Sequence, residues 1–256
     1  MNSKTMRKVD GILRCFTHIE PRWTATELAA KLKAPVTTLH GILADMVEMD
    51  LLTLSPVSKE YSIGLRCLEL NAYQALNSEL NNIALGIMHG LVFGGEHIAA
   101  VGVVFNGWQY ITSVVLPITY FSGGISTGPR LPAHLCAGGI AVLAHIPEEN
   151  LARYLALEWS NIAPAPPLNR ELLEQELEQV RSQGYILGRG FSWQEPSESM
   201  AAPIFGKRSQ VLGALVISGP HGSFSADQQG GAREKLVLAA NEISQRCGHL
   251  SPGSFI

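Results

Sequence analysis

Apolar residues recur at helical spacing over residues 5–19 (Met6, Val9, Ile12, Leu13, Phe16, Ile19), which predicts a first amphipathic helix. Thr24 followed by Glu27 is the pattern of a capping box, in which two side chains satisfy the orphan amides of a helix start. Leu28, Ala29 and Leu32 give the helix it opens one apolar face, and the pattern stops near Lys33. Pro35 suits the first turn of the next helix, where its missing N–H costs nothing. That helix buries a stripe of Leu39, Ile42, Leu43, Met46 and Val47, leaving Thr37, Thr38, His40 and Gly41 on or near the opposite side. Thr53-Leu54, a turn through Ser55–Lys59, and Tyr61–Ile63 then form a hairpin. Two short helices, a tight turn and a hairpin are the shape of a winged helix-turn-helix, whose second helix can enter a major groove.

Leu65–Leu76 reads as a helix with Leu65, Leu68 and Tyr73 or Ala72 as its packed side, and a further helix runs from Glu79 to Leu91. Beyond it the period changes to two. His97–Phe105, Asn106-Gly107 and Trp108–Leu116 form a hairpin with the dipeptide preferred in a type I′ turn. A third strand is expected over Thr119–Ser122, a small-residue helix over His134–His145, and another helix opening at Pro147. A Pro-rich loop spans Ala163–Pro167, and Asn169 caps a helix that ends at Gly184. Tyr185–Leu187, Met200–Phe205 and Val211–Ser218 read as strands, and Ser225 with Gln228 caps a last helix to about Cys247. Strands mixed with helices indicate an α+β second domain. The boundaries drawn from this pattern are 1–66 for the winged helix, 67–78 for a linker helix and 79–256 for the second domain.

Composition narrows the class. With 256 residues, 46% hydrophobic and 16% charged, the chain is a well-packed globular protein. The net charge of −3 divides unevenly. Residues 1–66 hold nine Lys+Arg against seven Asp+Glu, a net of +2, and the remainder holds ten against fifteen, a net of −5. The positive end is the one that would face phosphate. Four scattered cysteines without a CxxC pair, and an amino terminus without an apolar core, fit a cytoplasmic protein. No apolar run reaches the ~20 residues that span a bilayer, so no membrane contact is expected. Neither His134 with His145 nor His89 with His97 has zinc-ligand spacing, and no metal or cofactor is expected. Cys136 beside His134 raises a thiol-enzyme reading. Residues two apart at a helix start point to different faces, so a small core cysteine is favoured and no catalytic residue is assigned.

The motifs together resemble the IclR family of bacterial transcription regulators over nearly the whole chain. The matching segments are Pro35-Val36-Thr37-Thr38-Leu39-His40-Gly41, Tyr61–Arg66, Arg130-Leu131-Pro132-Ala133-His134, Gly184-Tyr185, Ala201–Phe205 and Ser218-Gly219-Pro220. The resemblance implies a GAF-like second domain with a curved antiparallel sheet, a double-stranded DNA operator, a small organic effector and a homodimer or homotetramer. Thr37, Thr38 and His40 become the DNA-contacting candidates, Lys33 and Lys59 phosphate contacts. Val36 and Gly41 stand where the family usually has basic residues. The effector positions carried over are Leu131, Ala137, Gly138, Gly188, Ser199, Val216 and Ser218. Ser199 replaces a Cys, Gly188 an Asp and Val216 a Ser. Glycine at 138 and 188 suggests a roomier pocket and an aromatic or other organic acid. A second reading stays open: a sensor that has lost Arg and Lys from its DNA helix and acts through a partner regulator.

Overall fold

The computed structural model describes residues 4–17, 19–92, 97–117, 130–157, 169–189, 197–224 and 226–249. The strand expected at Thr119–Ser122, the Pro-rich loop and the Ser225 cap lie outside the described residues. Contacts divide the chain into two compact units that meet in sequence between Asn77 and Ser78.

The first unit opens with α1 (Lys4–Cys15), then β1 (Trp23–Thr24), α2 (Ala25–Leu32), α3 (Val36–Glu48), β2 (Leu52–Leu54), β3 (Glu60–Ile63) and α4 (Leu65–Leu76). The periodicity carried the first helix to Ile19, but it stops at Cys15 and leaves Ile19 exposed. The Trp23 indole N–H donates to the Cys15 carbonyl at 3.0 Å, taking the acceptor that another turn would use. The capping box forms as expected. Thr24 Oγ1 accepts from the Glu27 amide at 3.3 Å, and a Glu27 carboxylate oxygen accepts from the Thr24 amide at 2.8 Å. Lys33 ends α2 in the left-handed region (φ 50°), its amide reaching the Ala29 and Ala30 carbonyls. Pro35 is the cap before α3 rather than a residue of its first turn. Ile12, Leu28, Leu39, Leu43, Met46 and Leu52 form the buried centre of this unit. β1, which the pattern did not reveal, joins β3 to make a three-stranded sheet in the order β1-β3-β2.

α4 corrects an expectation. It spans the expected residues, yet none is buried: Leu65 is 77%, Leu68 64%, Tyr73 54% and Leu76 72% exposed. Among the described residues, the apolar side read as packed is exposed.

The second unit contains α5 (Glu79–Val92), β4 (Ile98–Phe105), β5 (Trp108–Val115), β6 (Arg130–Pro132), α6 (Ala137–Leu143), α7 (Glu148–Leu155), α8 (Arg170–Gln183), β7 (Ile186–Arg189), β8 (Ser197–Phe205), β9 (Val211–Pro220) and α9 (Ala226–Arg246). Its strands form a curved antiparallel sheet in the order β6-β5-β4-β9-β8-β7. One face packs on α5 and α9 through Ala99, Val101, Leu215, Met88 and Leu236. The other packs on α6, α7 and α8 through Ala100, Ile111, Val216, Ile140 and Leu177. The Asn106-Gly107 turn has positive φ at both residues (49° and 81°), as a type I′ turn requires. The helix expected over His134–His145 is broken. A 3-10 turn over Ala133–Leu135 precedes an extended Cys136 (φ −145°, ψ 146°), and α6 begins only after it.

The β4–β5 ladder is interrupted once. Val101 faces Ser113 and Gly102 faces Ile111, so Thr112 is an extra residue in β5. A bulge of one residue reverses which face the following side chains occupy. Val115 joins the α5–α9 core, whereas Ile111 joins the α6 side. Asn81 of α5 holds the bulge: its Nδ2 donates to the Thr112 carbonyl at 3.2 Å and its Oδ1 accepts from the Thr112 hydroxyl at 2.8 Å.

Candidate functional site

In the first unit the candidate groups lie on and beside α3. Thr37, Thr38, His40 and Gly41 are all exposed, opposite the buried Leu39, Leu43 and Met46. At about 100° per residue, Thr37 and Gly41 share the middle of that exposed side, with Thr38 and His40 flanking it. Val36 is half-buried against the core of the unit, so only part of its surface is available to a partner. Lys33 is exposed at the left-handed turn before the helix, and Lys59 is exposed near the wing tip, also with positive φ (58°). Asp45 and Glu48, which were not anticipated, are both exposed on the same side of α3, and the helix carries no Lys or Arg at all. Positive charge near α3 therefore comes from its flanks.

In the second unit, five of the seven carried-over positions line one cavity between α6 and the sheet: Ala137, Gly138, Ser199, Val216 and Ser218. Leu131 is buried beside it on β6, paired with Gln109, and Gly188 sits on β7 opposite Ser199. Neither lines the cavity as formed. Ser199 and Ser218 face each other across the β8–β9 ladder and their hydroxyls are hydrogen-bonded. Gln109, Cys136, Ile98, Ala100 and Ile111 complete the lining and were not anticipated. Strict alternation along β5 would have put Gln109 and Ser113 on one face, and only the bulge separates them. Nothing in the sequence marks that extra residue.

The expectation of a roomier pocket is overturned. A methyl group at Gly138 would run into Gln109 Nε2 and Val216 Cγ2, and one at Gly188 would meet Ala137 Cβ at 3.6 Å. The space vacated at 138 is filled by neighbours, and the enclosed volume that remains is about 20 Å³. That is room for a water, not for a ring.

No lining residue carries a charge. The Cys136 thiol donates to Gln109 Oε1 at 2.5 Å. Burial pushes the Cys136 pKa up to about 12, with the Gly139 amide pulling weakly the other way, so the thiolate needed of a nucleophile is not available. His134 is engaged elsewhere. Its amide donates to the Tyr154 hydroxyl at 2.9 Å and its Nδ1 lies 2.6 Å from the same oxygen. Burial pulls the His134 pKa down to about 4 and raises that of Tyr154. Among the described residues no three His, Cys, Asp or Glu side chains converge as a metal site would need.

A winged helix joined to a sheet-and-helix unit with a small uncharged cavity defines the class of one-chain transcription regulators with a ligand-binding domain. Residues 8–56 match the IclR helix-turn-helix domain, and residues 109–245 match the bacterial transcriptional regulator IclR C-terminal domain. The chain belongs to the IclR family of DNA-binding transcription regulators. It is 26% identical over 253 residues to the HTH-type transcriptional regulator KipR of Bacillus subtilis, covering 96% of this chain and 98% of that one. An IclR transcriptional regulator from Alicyclobacillus acidocaldarius shares the fold with a TM-score of 0.80 at 22% identity, over 97% of this chain and 100% of its own. An IclR homolog from Microbacterium hydrocarbonoxydans, solved in complex with 4-hydroxybenzoate, shares it with a TM-score of 0.75 at 21% identity, over 95% and 99%. Among the described residues no helix is long and apolar enough to cross a membrane.

Proposed function

We propose that this protein is a ligand-responsive regulator that binds operator DNA through α3 and its wing and senses a small organic acid in the cavity beneath α6. The observation that carries the sensing half is the group of neutral polar side chains at that cavity: the buried Gln109 and Ser199 and the half-buried Ser218. Buried polar groups aimed at an enclosed space are the usual means of orienting a small ligand. A carboxylate can be held there without a cation by hydroxyl and amide donors, which favour its charged form. Ala137 and Gly138, the first residues of α6, bring amides that the helix's own ladder does not use. The 4-hydroxybenzoate bound to the Microbacterium relative supports organic acids as the ligand class.

For the DNA half, Thr37 and Thr38 contact phosphates, His40 and Val36 face base edges, and Gly41 allows close approach. Lys33 and Lys59 supply the phosphate charge that α3 lacks. The protein acts as a homodimer or homotetramer, because paired winged helices double the contacts that one makes. The exposed apolar side of α4 supports self-association.

The experiment is a salt series of binding to the DNA upstream of the protein's own gene and to random DNA, with and without candidate acids. A specific complex at moderate salt that a ligand weakens or strengthens is the expected result. Thr37→Ala with Thr38→Ala should weaken binding evenly across related sequences, since phosphate contacts carry no base information. Gly41→Arg should strengthen it: no atom lies within 4 Å of a Cβ there, and both helix propensity and charge improve. Binding no tighter than to random DNA would instead sink the DNA half of the proposal.

A further inference from the structure

Gln109 is the cavity residue whose position takes the most structure to produce. It is 1% exposed, reaches the α6 side only because of the Thr112 bulge, and its carboxamide fills a slot between β4 and α6. Glycines form both walls of that slot, and a methyl on either Gly102 or Gly138 would overlap Nε2. Oε1 is held by the Cys136 thiol, while Nε2 has no partner among the described residues and borders the cavity. At the other pole the Ser199–Ser218 pair uses one hydroxyl proton between its members and keeps the second for a ligand.

We propose that Gln109 is the specificity-determining residue of this cavity, admitting compact hydroxy or oxo acids and excluding aromatic rings. The inference rests on the reading of the cavity as the effector site. The space left beside the carboxamide, about 20 Å³, must widen for any acid, and a compact one that offers Nε2 an acceptor can be seated with the amide still in its slot. A ring can enter only by driving the amide out of the slot, which breaks the Cys136 bond and leaves buried polar atoms unpaired. Sites built around such a hydrogen bond reject ligands that cannot make it far more strongly than apolar pockets reject misfits.

The test is calorimetry on the full chain with a panel of two- to four-carbon hydroxy and oxo acids and with 4-hydroxybenzoate, on the parent, Gln109→Ala and Gln109→Met. The parent should bind at least one compact acid at least about tenfold more tightly than 4-hydroxybenzoate. Gln109→Ala, which empties the slot, should reverse that order. Gln109→Met keeps the bulk without the amide and should lose about tenfold for the compact acid while gaining nothing for the ring. If the alanine variant fails to fold by circular dichroism, the methionine variant alone decides between the outcomes. A parent that prefers the ring, or variants whose ligand ratio matches the parent's, overturns the role of Gln109 alone. Binding of no acid to any of the three overturns the effector-site reading along with it.

Discussion

Lys33 holds a conformation that its side chain disfavours. A non-glycine residue in the left-handed region costs about 1–2 kcal/mol, of which glycine's greater freedom in the unfolded chain would return about 0.5–1 kcal/mol. Lys33→Gly should therefore raise the unfolding free energy by about 0.5–1 kcal/mol in urea titrations. On the proposed role of Lys33, the same variant should bind operator more weakly and with a salt slope reduced by about one. Stability and affinity moving together would refute that role. His134 makes a second case. Its folded pKa, about 4, lies below the ordinary 6.5, so the neutral ring stabilises the fold above pH 6.5 and that stability is lost as pH falls toward 4. The shift bounds the effect at about 3 kcal/mol. His145, depressed by burial and by Arg181, adds to it in the same direction. Urea unfolding between pH 7.5 and 4.5 should show a shallower decline for His134→Gln than for the parent. An unchanged slope would mean that His134 does not carry the effect.

At the scale of elements, the periodicities that depend on local chemistry were legible. The capping box, the α3 stripe, the type I′ turn and the Asn169 and Gly184 ends all form where residue spacing puts them. The failures share a cause, because each depends on a distant partner. α1 ends early for an indole eight residues away. The His134–His145 segment breaks where Cys136 turns toward Gln109, 27 residues earlier in sequence. The candidate cavity was half legible for the same reason: Ala137, Gly138, Ser199, Val216 and Ser218 were reached through a resemblance, whereas Gln109 depends on a bulge with no signature. The bulge is itself testable. Asn81→Ala removes both Asn81 bonds to Thr112, leaving its hydroxyl only the Val101 carbonyl at 3.4 Å, and should cost about 1–2 kcal/mol. If the Gln109 slot matters for ligands, the variant should also blunt ligand-induced stabilisation in thermal shift without lowering operator affinity in ligand-free protein. Unaltered stability would show that the bulge needs no latch.

For the whole molecule, the feature of most consequence is α4, a helix with Leu65, Leu68, Tyr73 and Leu76 all more than half exposed. Exposed apolar residues in such a row mark a surface that another molecule covers. Leu68→Lys with Leu76→Lys should leave the fold intact, convert the protein to a monomer in sedimentation at micromolar concentration, and weaken operator binding at least about tenfold through the loss of paired half-sites. A parent already monomeric under those conditions would refute the assembly. The bulge in β5 also matters at this scale. α5, which latches Thr112, is the first helix of the second unit, so one strand serves both the cavity and the helix nearest in sequence to the first unit. For anyone evolving new specificities, β5 is therefore two interleaved reading frames. Codons 109 and 111 address the α6 side and codons 113 and 115 the α5 side, and because Thr112 is the extra residue, its in-frame loss should close the ladder while leaving both assignments unchanged.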